Sequence, residues 1–455
     1  MKNRLSLLTL FIFLLTGFLT AQNGWTPLWN GKDLSGWKVL GGKAVFEVKE
    51  GVIVGTTVAN TRNTFLCTEK EYGDFILELD ILVEDEEGNS GIQTRSHFDP
   101  AGNNGEGKVY GRQCEVDPSW RRWTGGIYDE GRREWLYPMQ LNASAQYAYK
   151  PGGFNHFRIE CIGDEMRTWV NGIAAACLVD TLDRKGFIGL QVHSVSNPAN
   201  AGKKVFFKNI RIKTTGLQPL PLPSGIYVAN FQPDKLTAYE KKDGWQLLSG
   251  ERAGKNWISA RTKQYPVAGW DFRNGAITVL SSEGKEAANG GDIISREQYS
   301  AFDFSFEFKI TPGANSGVKY FVTLNEQTSG SAIGLEYQVL DDTLHPDAKL
   351  GRDGNRTLAS LYDLIKADKQ KRFLRPAGSW NFGRIVVWPN DKVEHFLNGV
   401  KVLEYIRGSK SFRDLVAISK YSVWKNFGEA EKGHILLQDH GNEVSYRSIK
   451  LRRLK

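Results

Sequence analysis

The chain has 455 residues, of which 59 are Lys or Arg and 51 Asp or Glu, a formal charge of +8 with 40% hydrophobic residues. That length leaves room for more than one domain with its own core. Basic residues are interleaved with acidic ones, as in Glu69-Lys70-Glu71 and Glu429-Ala430-Glu431-Lys432; nucleic-acid binders instead gather Lys and Arg into stripes, so no nucleic-acid partner is expected.

Residues 1–21 open with Lys2 and Arg4 ahead of an apolar run over 5–19 and read as a secretory signal, too short to span a membrane. Removing them lowers the charge from +8 to +6. Leu19 stands where a cleavage site prefers a small residue, and no Cys follows the run, which argues against a lipid anchor. A periplasmic or secreted location without membrane insertion is the expectation. Phe75, Leu77, Leu79, Ile81 and Val83 then alternate with Glu78 and Asp80, the period of a half-buried strand. Phe157-Arg158-Ile159-Glu160 and Thr168-Trp169-Val170 follow the same rule, and Asn171-Gly172 predicts a tight turn. A segment over 216–225, alternating Pro with other residues, predicts an extended, semi-rigid linker between a first domain at 22–215 and a second at 226–455. Beyond it Phe304, Phe306, Phe308 and Ile310 repeat the strand period, residues 361–371 suggest a short helix, Arg384-Ile385-Val386-Val387-Trp388 another strand, and Asn398-Gly399 a second tight turn.

The two halves carry the same motifs in the same order. Asn89-Ser90-Gly91 matches Asn315-Ser316-Gly317, and Gly125-Gly126-Ile127-Tyr128-Asp129 matches Ala359-Ser360-Leu361-Tyr362-Asp363. Pro151-Gly152-Gly153-Phe154-Asn155 matches Pro376-Ala377-Gly378-Ser379-Trp380-Asn381, and Gly189-Leu190-Gln191-Val192-His193 matches Leu436-Leu437-Gln438-Asp439-His440. A spacing of about two hundred residues is too long for a solenoid unit, so each copy is a whole domain. Many short strands in each predict an all-β fold of two tandem sandwiches. Cys67, Cys114, Cys161 and Cys177 all lie in the first copy without metal-ligand spacing. They read as buried side chains, with Cys161 and Cys177 the best pair if any disulfide forms.

Alternation puts Gln113, Glu115 and Asp117 on one strand face, with the two carboxylates about 7 Å apart. That suits acid/base work on a sugar, and neighbouring carboxylates raise one another's pKa. His193, beside Gln191, and His440, beside Gln438, add imidazoles at matching places. Trp123, Tyr128, Asp129, Arg132 and Trp135 belong to an aromatic and arginine segment suited to stacking on sugar faces and gripping hydroxyls. Its density makes the first copy the favoured reaction site. Asp341, Asp342, Asp347 and His345 could gather a cation or form a solvated loop. No GxSxG, HExxH, P-loop or EF-hand spacing is present.

Leu335-Glu336-Tyr337-Gln338-Val339-Leu340-Asp341-Asp342, His345-Pro346-Asp347-Ala348, Leu361-Tyr362-Asp363-Leu364, Val393-Glu394-His395-Phe396-Leu397-Asn398-Gly399 and 433–441 together resemble the 3-keto-disaccharide hydrolase domain family. In the first copy the likeness runs through Trp29-Asn30-Gly31-Lys32-Asp33-Leu34-Ser35-Gly36-Trp37 and the matched motifs above. The resemblance implies a concanavalin-like jelly-roll sandwich in each copy and cleavage of glycosides whose sugar is oxidised to a ketone at C3. A C3 ketone acidifies the C2 proton; a base removes it, the C1 substituent leaves, and water adds. The resemblance implies His193, Glu115 and Arg95 as base, acid and positive group in the first copy, with Glu336, Asp341 and His440 as equivalents in the second. Gln113, Gln191, Gln338, Tyr362 and Gln438 become substrate-binding candidates. A divalent cation is a candidate cofactor, and a sugar oxidoreductase a candidate partner supplying the ketone. Glu336-Tyr337-Gln338 has the family's usual order, whereas Gln113-Cys114-Glu115 exchanges carboxylate and amide. Two other readings stand beside this one: a glycoside hydrolase using Glu115 and Asp117 on unoxidised glycan, and a non-catalytic sugar binder.

Overall fold

The computed structural model describes residues 24–324 and 332–455. The signal expected over 1–21 lies outside them. Among the described residues no helix is long and apolar enough to cross a membrane.

Each copy is a jelly-roll β-sandwich. In the first, a nine-stranded back sheet centred on Phe75–Val83 packs against a seven-stranded front sheet. The front sheet runs Glu134–Tyr137, Ile127–Glu130, Lys108–Val116, Ser90–Asp99, Phe187–Val192, Thr64–Thr68, Trp37–Gly41. Alternation decides which side chains meet between the sheets: Phe75, Leu77, Leu79 and Ile81 from the back face Leu66, Ile92, Cys114, Val116, Ile127 and Leu190 from the front, all at most 1% exposed. Each large apolar side chain buried there contributes about 1.5–3 kcal/mol. The second copy repeats the plan with an eight-stranded back sheet around Phe302–Ile310 and a five-stranded front sheet, Trp257–Ser259, Ile293–Ser295, His434–Leu437, Asn315–Thr323, Ile333–Leu340.

Several repeated motifs prove to be structural locks. In both copies the Asn of the Asn-Gly turn has φ near +50°, at Asn171 (49°) and Asn398 (50°), as a two-residue hairpin requires. Asn171 Nδ2 donates to Asn155 Oδ1 at 2.7 Å and Asn398 Nδ2 to Asn381 Oδ1 at 2.9 Å. That explains the matched Pro-to-Asn motifs.

Three expectations are corrected. Residues 361–371 form no helix: Leu361 bridges Tyr337 and Ile365, and the chain then runs extended. Only a 3-10 turn, Lys371–Phe373, follows, and an α-helix appears later at Lys410–Ala417. Cys161 and Cys177 lie on strands separated by Glu165–Val170, about 9–10 Å apart at sheet spacing and beyond disulfide reach; all four cysteines are free and buried. The Pro-rich segment is no free spacer. Leu220 N donates to Glu160 Oε1 at 3.0 Å, Leu222 packs on the first sandwich, and Ala229–Asn230 adds a parallel strand beside Ile173–Val179.

The sandwiches press together. Tyr137 Oη donates to Tyr227 O at 3.0 Å, Tyr227 meets Phe382 at 6.0 Å between ring centres, and Trp123 meets Phe373 at 5.7 Å. One apolar cluster runs from the first core through Tyr227 and Trp245 to Val386 and Phe396.

Candidate active sites

The first site lies on the outer face of the first front sheet. Register aligns Gly91 with Glu115, Gln93 with both Gln113 and Gly189, and Gln113 with Tyr128, so polar side chains of neighbouring strands stand side by side. Of these, Gln113, Glu115 and Tyr128 line a cavity of about 290 Å³ with Asn63, Asn89, Gln191 and His193. The Asn-Ser-Gly motif builds it. Asn89 Nδ2 donates to Glu115 Oε1 at 2.5 Å, and Ser90 Oγ pins the next strand through Gln191 O at 2.7 Å. Gly91 leaves room, since a Cβ there would sit 2.2 Å from Gln113 Cδ. Gln113 Nε2 donates to Glu115 Oε2 at 3.0 Å. Burial nonetheless dominates and raises the Glu115 carboxyl from 4.5 to about 7, with Asp117 adding to the rise. His193 moves the other way: burial lowers it. Its Nδ1 faces Ser194 O at 2.8 Å. A carbonyl only accepts, so the neutral ring carries its proton on Nδ1 and its lone pair on Nε2. Gln191 is fully buried, and neither its amide oxygen nor its nitrogen has a partner.

The second sandwich repeats the layout. Gly317 pairs with Gln338 and Lys319 with Glu336, the places held by Glu115 and Gln113 in the first. Ser316 Oγ donates to Gln438 O at 2.7 Å, and a Cβ on Gly317 would sit 2.3 Å from Glu336 Oε1. Asn315, Glu336, Gln338, Tyr362, Gln438 and His440 line a cavity of about 520 Å³ together with Lys319, His345 and Lys420. Lys420 Nζ lies 4.2 Å from the Tyr362 ring centre, and burial lowers its pKa. His345 and His440 meet edge to face with centroids 6.0 Å apart; burial and then His440 hold His345 below its ordinary value. Asn315 Oδ1 and Gln438 Oε1 are buried without partners, as Asn89 Oδ1 and Gln191 are in the first site. Asp292, which accepts from Asp439 N at 2.9 Å, has its carboxyl raised to about 6 by burial.

A family model described as the 3-keto-alpha-glucoside-1,2-lyase-like domain matches residues 24–213 and 241–452. The chain belongs to this family. A 3-keto-disaccharide hydrolase of Bacteroides thetaiotaomicron is 34% identical over 240 residues, 48% of this chain and 81% of that protein. Among solved structures, a glycosyl hydrolase of Parabacteroides distasonis aligns with TM-score 0.42 and 24% identity over 49% of this chain and 100% of its own. A carbohydrate-binding module of Bacillus subtilis aligns with TM-score 0.27 and 16% identity over 39% of this chain and 95% of its own.

Within the 3-keto-alpha-glucoside-1,2-lyase-like domains, several expected site residues do other work. Arg95 is 1% exposed and ties the frame together: Nε donates to Gly73 O at 2.8 Å, Nη1 to Gly163 O at 2.7 Å, and Nη2 pairs with Asp74 at 2.8 Å. Asp117 follows the end of its strand, where the alternation no longer aims it outward; it binds Arg121 Nε and Ser119 Oγ, both at 2.6 Å, and is not on the cavity wall. Asp341 caps a turn by accepting from Gly313 N (2.9 Å) and Thr343 N (2.9 Å), away from the second cavity. Trp123 packs edge to face on Trp135 at 4.5 Å. Asp129 is fully buried and neutralises Arg132 (2.7 Å) and Arg133 (2.5 Å), while Arg132 also pairs with Asp183 at 2.5 Å. The aromatic and arginine density of this segment is therefore mostly interior ion pairing, which removes the reason for preferring the first copy. Glu115, Gln113, Tyr128, Trp135, Gln191 and His193 do line the first cavity, and Glu336, Gln338, Tyr362, Gln438 and His440 the second.

Arg372 in the first site, and Lys319 and Lys420 in the second, had not been singled out. Asn89 and Asn315 were signalled by their repeated motif; Arg372 reaches the first cavity from the other sandwich, which no local pattern reveals. Among the described residues, no three His, Cys, Asp or Glu side chains converge to hold a metal ion. Asp342 pairs with Lys369 at 2.5 Å, and Asp347 with Arg356 at 3.0 Å and Tyr362 Oη at 2.7 Å. The cation cluster considered for that loop does not assemble among the described residues.

Proposed function

We propose that this protein cleaves 3-keto-glycosides by removing the C2 proton, eliminating the C1 substituent and adding water, with a reaction centre in each sandwich. One observation carries the reading: a carboxyl raised to about 7 and a histidine kept neutral share the wall of one sugar-sized cavity. Titratable neighbours pushed in opposite directions separate the acid from the base. His193 Nε2 takes the C2 proton, and the electron pair moves into C2=C3 to leave an enediolate oxygen at C3. Arg121, held through Nε by Asp117, turns its remaining guanidinium nitrogens to that charge. Glu115 then protonates the departing oxygen as the C1–O bond breaks. Water adds to the resulting enone.

The second centre follows the same plan, with Glu336 and His440 for proton transfer and Lys319 and Lys420 for the oxyanion. Family membership and the 34% identical 3-keto-disaccharide hydrolase support the substrate class. Direct hydrolysis of unoxidised glycan by a carboxylate pair is less well supported, because Asp117 is committed to Arg121 and Ser119. The leader-like residues 1–21 support an exported setting, in which an oxidoreductase acting on the parent sugar would supply the ketone.

The test is to offer a 3-keto-glucoside and its parent glucoside and follow aglycone release. Cleavage of the keto sugar alone is expected. Equal cleavage of both would transfer the protein to the ordinary glycoside hydrolases, and binding without turnover would make it a lectin.

A further inference from the structure

A groove of about 500 Å³ runs between the two sandwiches and shares Glu134, Trp135 and Arg372 with the wall of the first cavity. Its charge is one-sided. Lys371, Arg372 and Arg375 line it from the second sandwich, and among the described residues none has a carboxylate within 4.0 Å. The other arginines on the groove, Arg132 and Arg133, are already neutralised by Asp129, Asp180 and Asp183. Among the described residues Glu134 is the one carboxylate on the groove wall, and Glu307, which also acts on Arg375, is paired with Arg447 at 2.7 Å, so the three cations outnumber the free anions by two. Arg375 Nη1 donates to Trp380 O at 2.9 Å, which fixes its guanidinium in the wall. Cations crowded together in a partly enclosed space repel one another, and an incoming oxyanion relieves that repulsion; guanidinium groups suit carboxylates because two parallel N–H donors match two oxygens. Trp135 stands between cavity and groove and offers an apolar surface where a leaving group would cross from one to the other.

We propose that this groove receives the leaving group of the glycoside bound in the first cavity and selects one that carries a carboxylate. The proposal rests on the function given above for the sugar, but its chemistry belongs to both domains: the second sandwich supplies the specificity of the first. Only the joined pair forms this subsite.

The experiment measures calorimetric affinity of the full chain for two carbon-linked 3-keto-glucosides that cannot lose their C1 substituent, one bearing a benzoate and the other the matching benzamide. The benzoate should bind about tenfold more tightly, the worth of a charge-assisted contact. In Lys371→Gln/Arg372→Gln the two affinities should become equal while the melting temperature stays unchanged. Equal affinities in the unmodified chain, a preference that survives the double substitution, or binding of neither ligand would each overturn the proposal. Because neither ligand is turned over, this result is read independently of cleavage: a chain that prefers benzoate but cleaves no 3-keto-glycoside would refute the function alone.

Discussion

Replacing Glu115 with Gln should make the protein more stable at alkaline pH and less active. Below pH 4.5 the carboxyl is protonated in both folded and unfolded chains, and above about 7 it is ionised in both. Between those values the folded chain keeps a proton that the unfolded chain has lost, so stability falls as pH rises, by about 1.4 kcal/mol per unit. Across the whole window the loss is on the order of 3 kcal/mol, of which roughly 1 kcal/mol falls between pH 6 and pH 8. Asp292, whose own raised carboxyl titrates near 6, is present in both proteins and cancels in the difference between them. Glutamine keeps the shape, carries no charge and deletes the slope. Urea unfolding at pH 6 and pH 8 measures it: the unmodified chain should lose roughly 1 kcal/mol more than the variant over that interval. Identical pH dependence in the two proteins would show that Glu115 is not held protonated by its surroundings, and its role as the acid would go with it.

Gln191→Leu should raise the melting temperature, because two buried amide atoms without partners cost about 1–3 kcal/mol, and should weaken sugar binding at least about tenfold; a lower melting temperature would mean those atoms are satisfied in solution. Arg95→Met should cost about 3–5 kcal/mol of stability by breaking a buried charge network, leaving kcat per folded molecule unchanged; normal stability with lost turnover would restore Arg95 to the chemistry. Thiol titration of the denatured chain without reductant should count the four cysteines as free, and any shortfall would reveal a disulfide. Glu115→Gln combined with Glu336→Gln should lower turnover at least about a hundredfold and further than either change alone; a single change with the full effect would leave one working centre.

The duplicated sandwiches were legible because period-2 alternation and the Asn-Gly turns act through neighbouring residues. So was the site's polar row: Gln113, Glu115, Gln191 and His193 face outward by the same alternation that buries Cys114 and Leu190. Alternation stops where the strand stops, which is why Asp117 and Asp341, each the first residue past a strand end, are not on the cavity walls. Composition could not separate arginines that face a ligand from those that neutralise buried carboxylates, so Arg132 looked like a binding residue while Arg372 went unnoticed. The Tyr-Asp motif shows both fates in adjacent residues: Tyr128 and Tyr362 line cavities, whereas Asp129 and Asp363 hold loops through arginines.

The central step of the proposed mechanism is loss of the C2 proton before the C1–O bond breaks. A 3-keto-glucoside carrying deuterium at C2 tests it most directly. A primary isotope effect on aglycone release is expected, shrinking when proton abstraction is no longer limiting, with wash-in of solvent hydrogen at C2 of the product. Release at the same rate from labelled and unlabelled substrate, with the deuterium retained in the product, would contradict it.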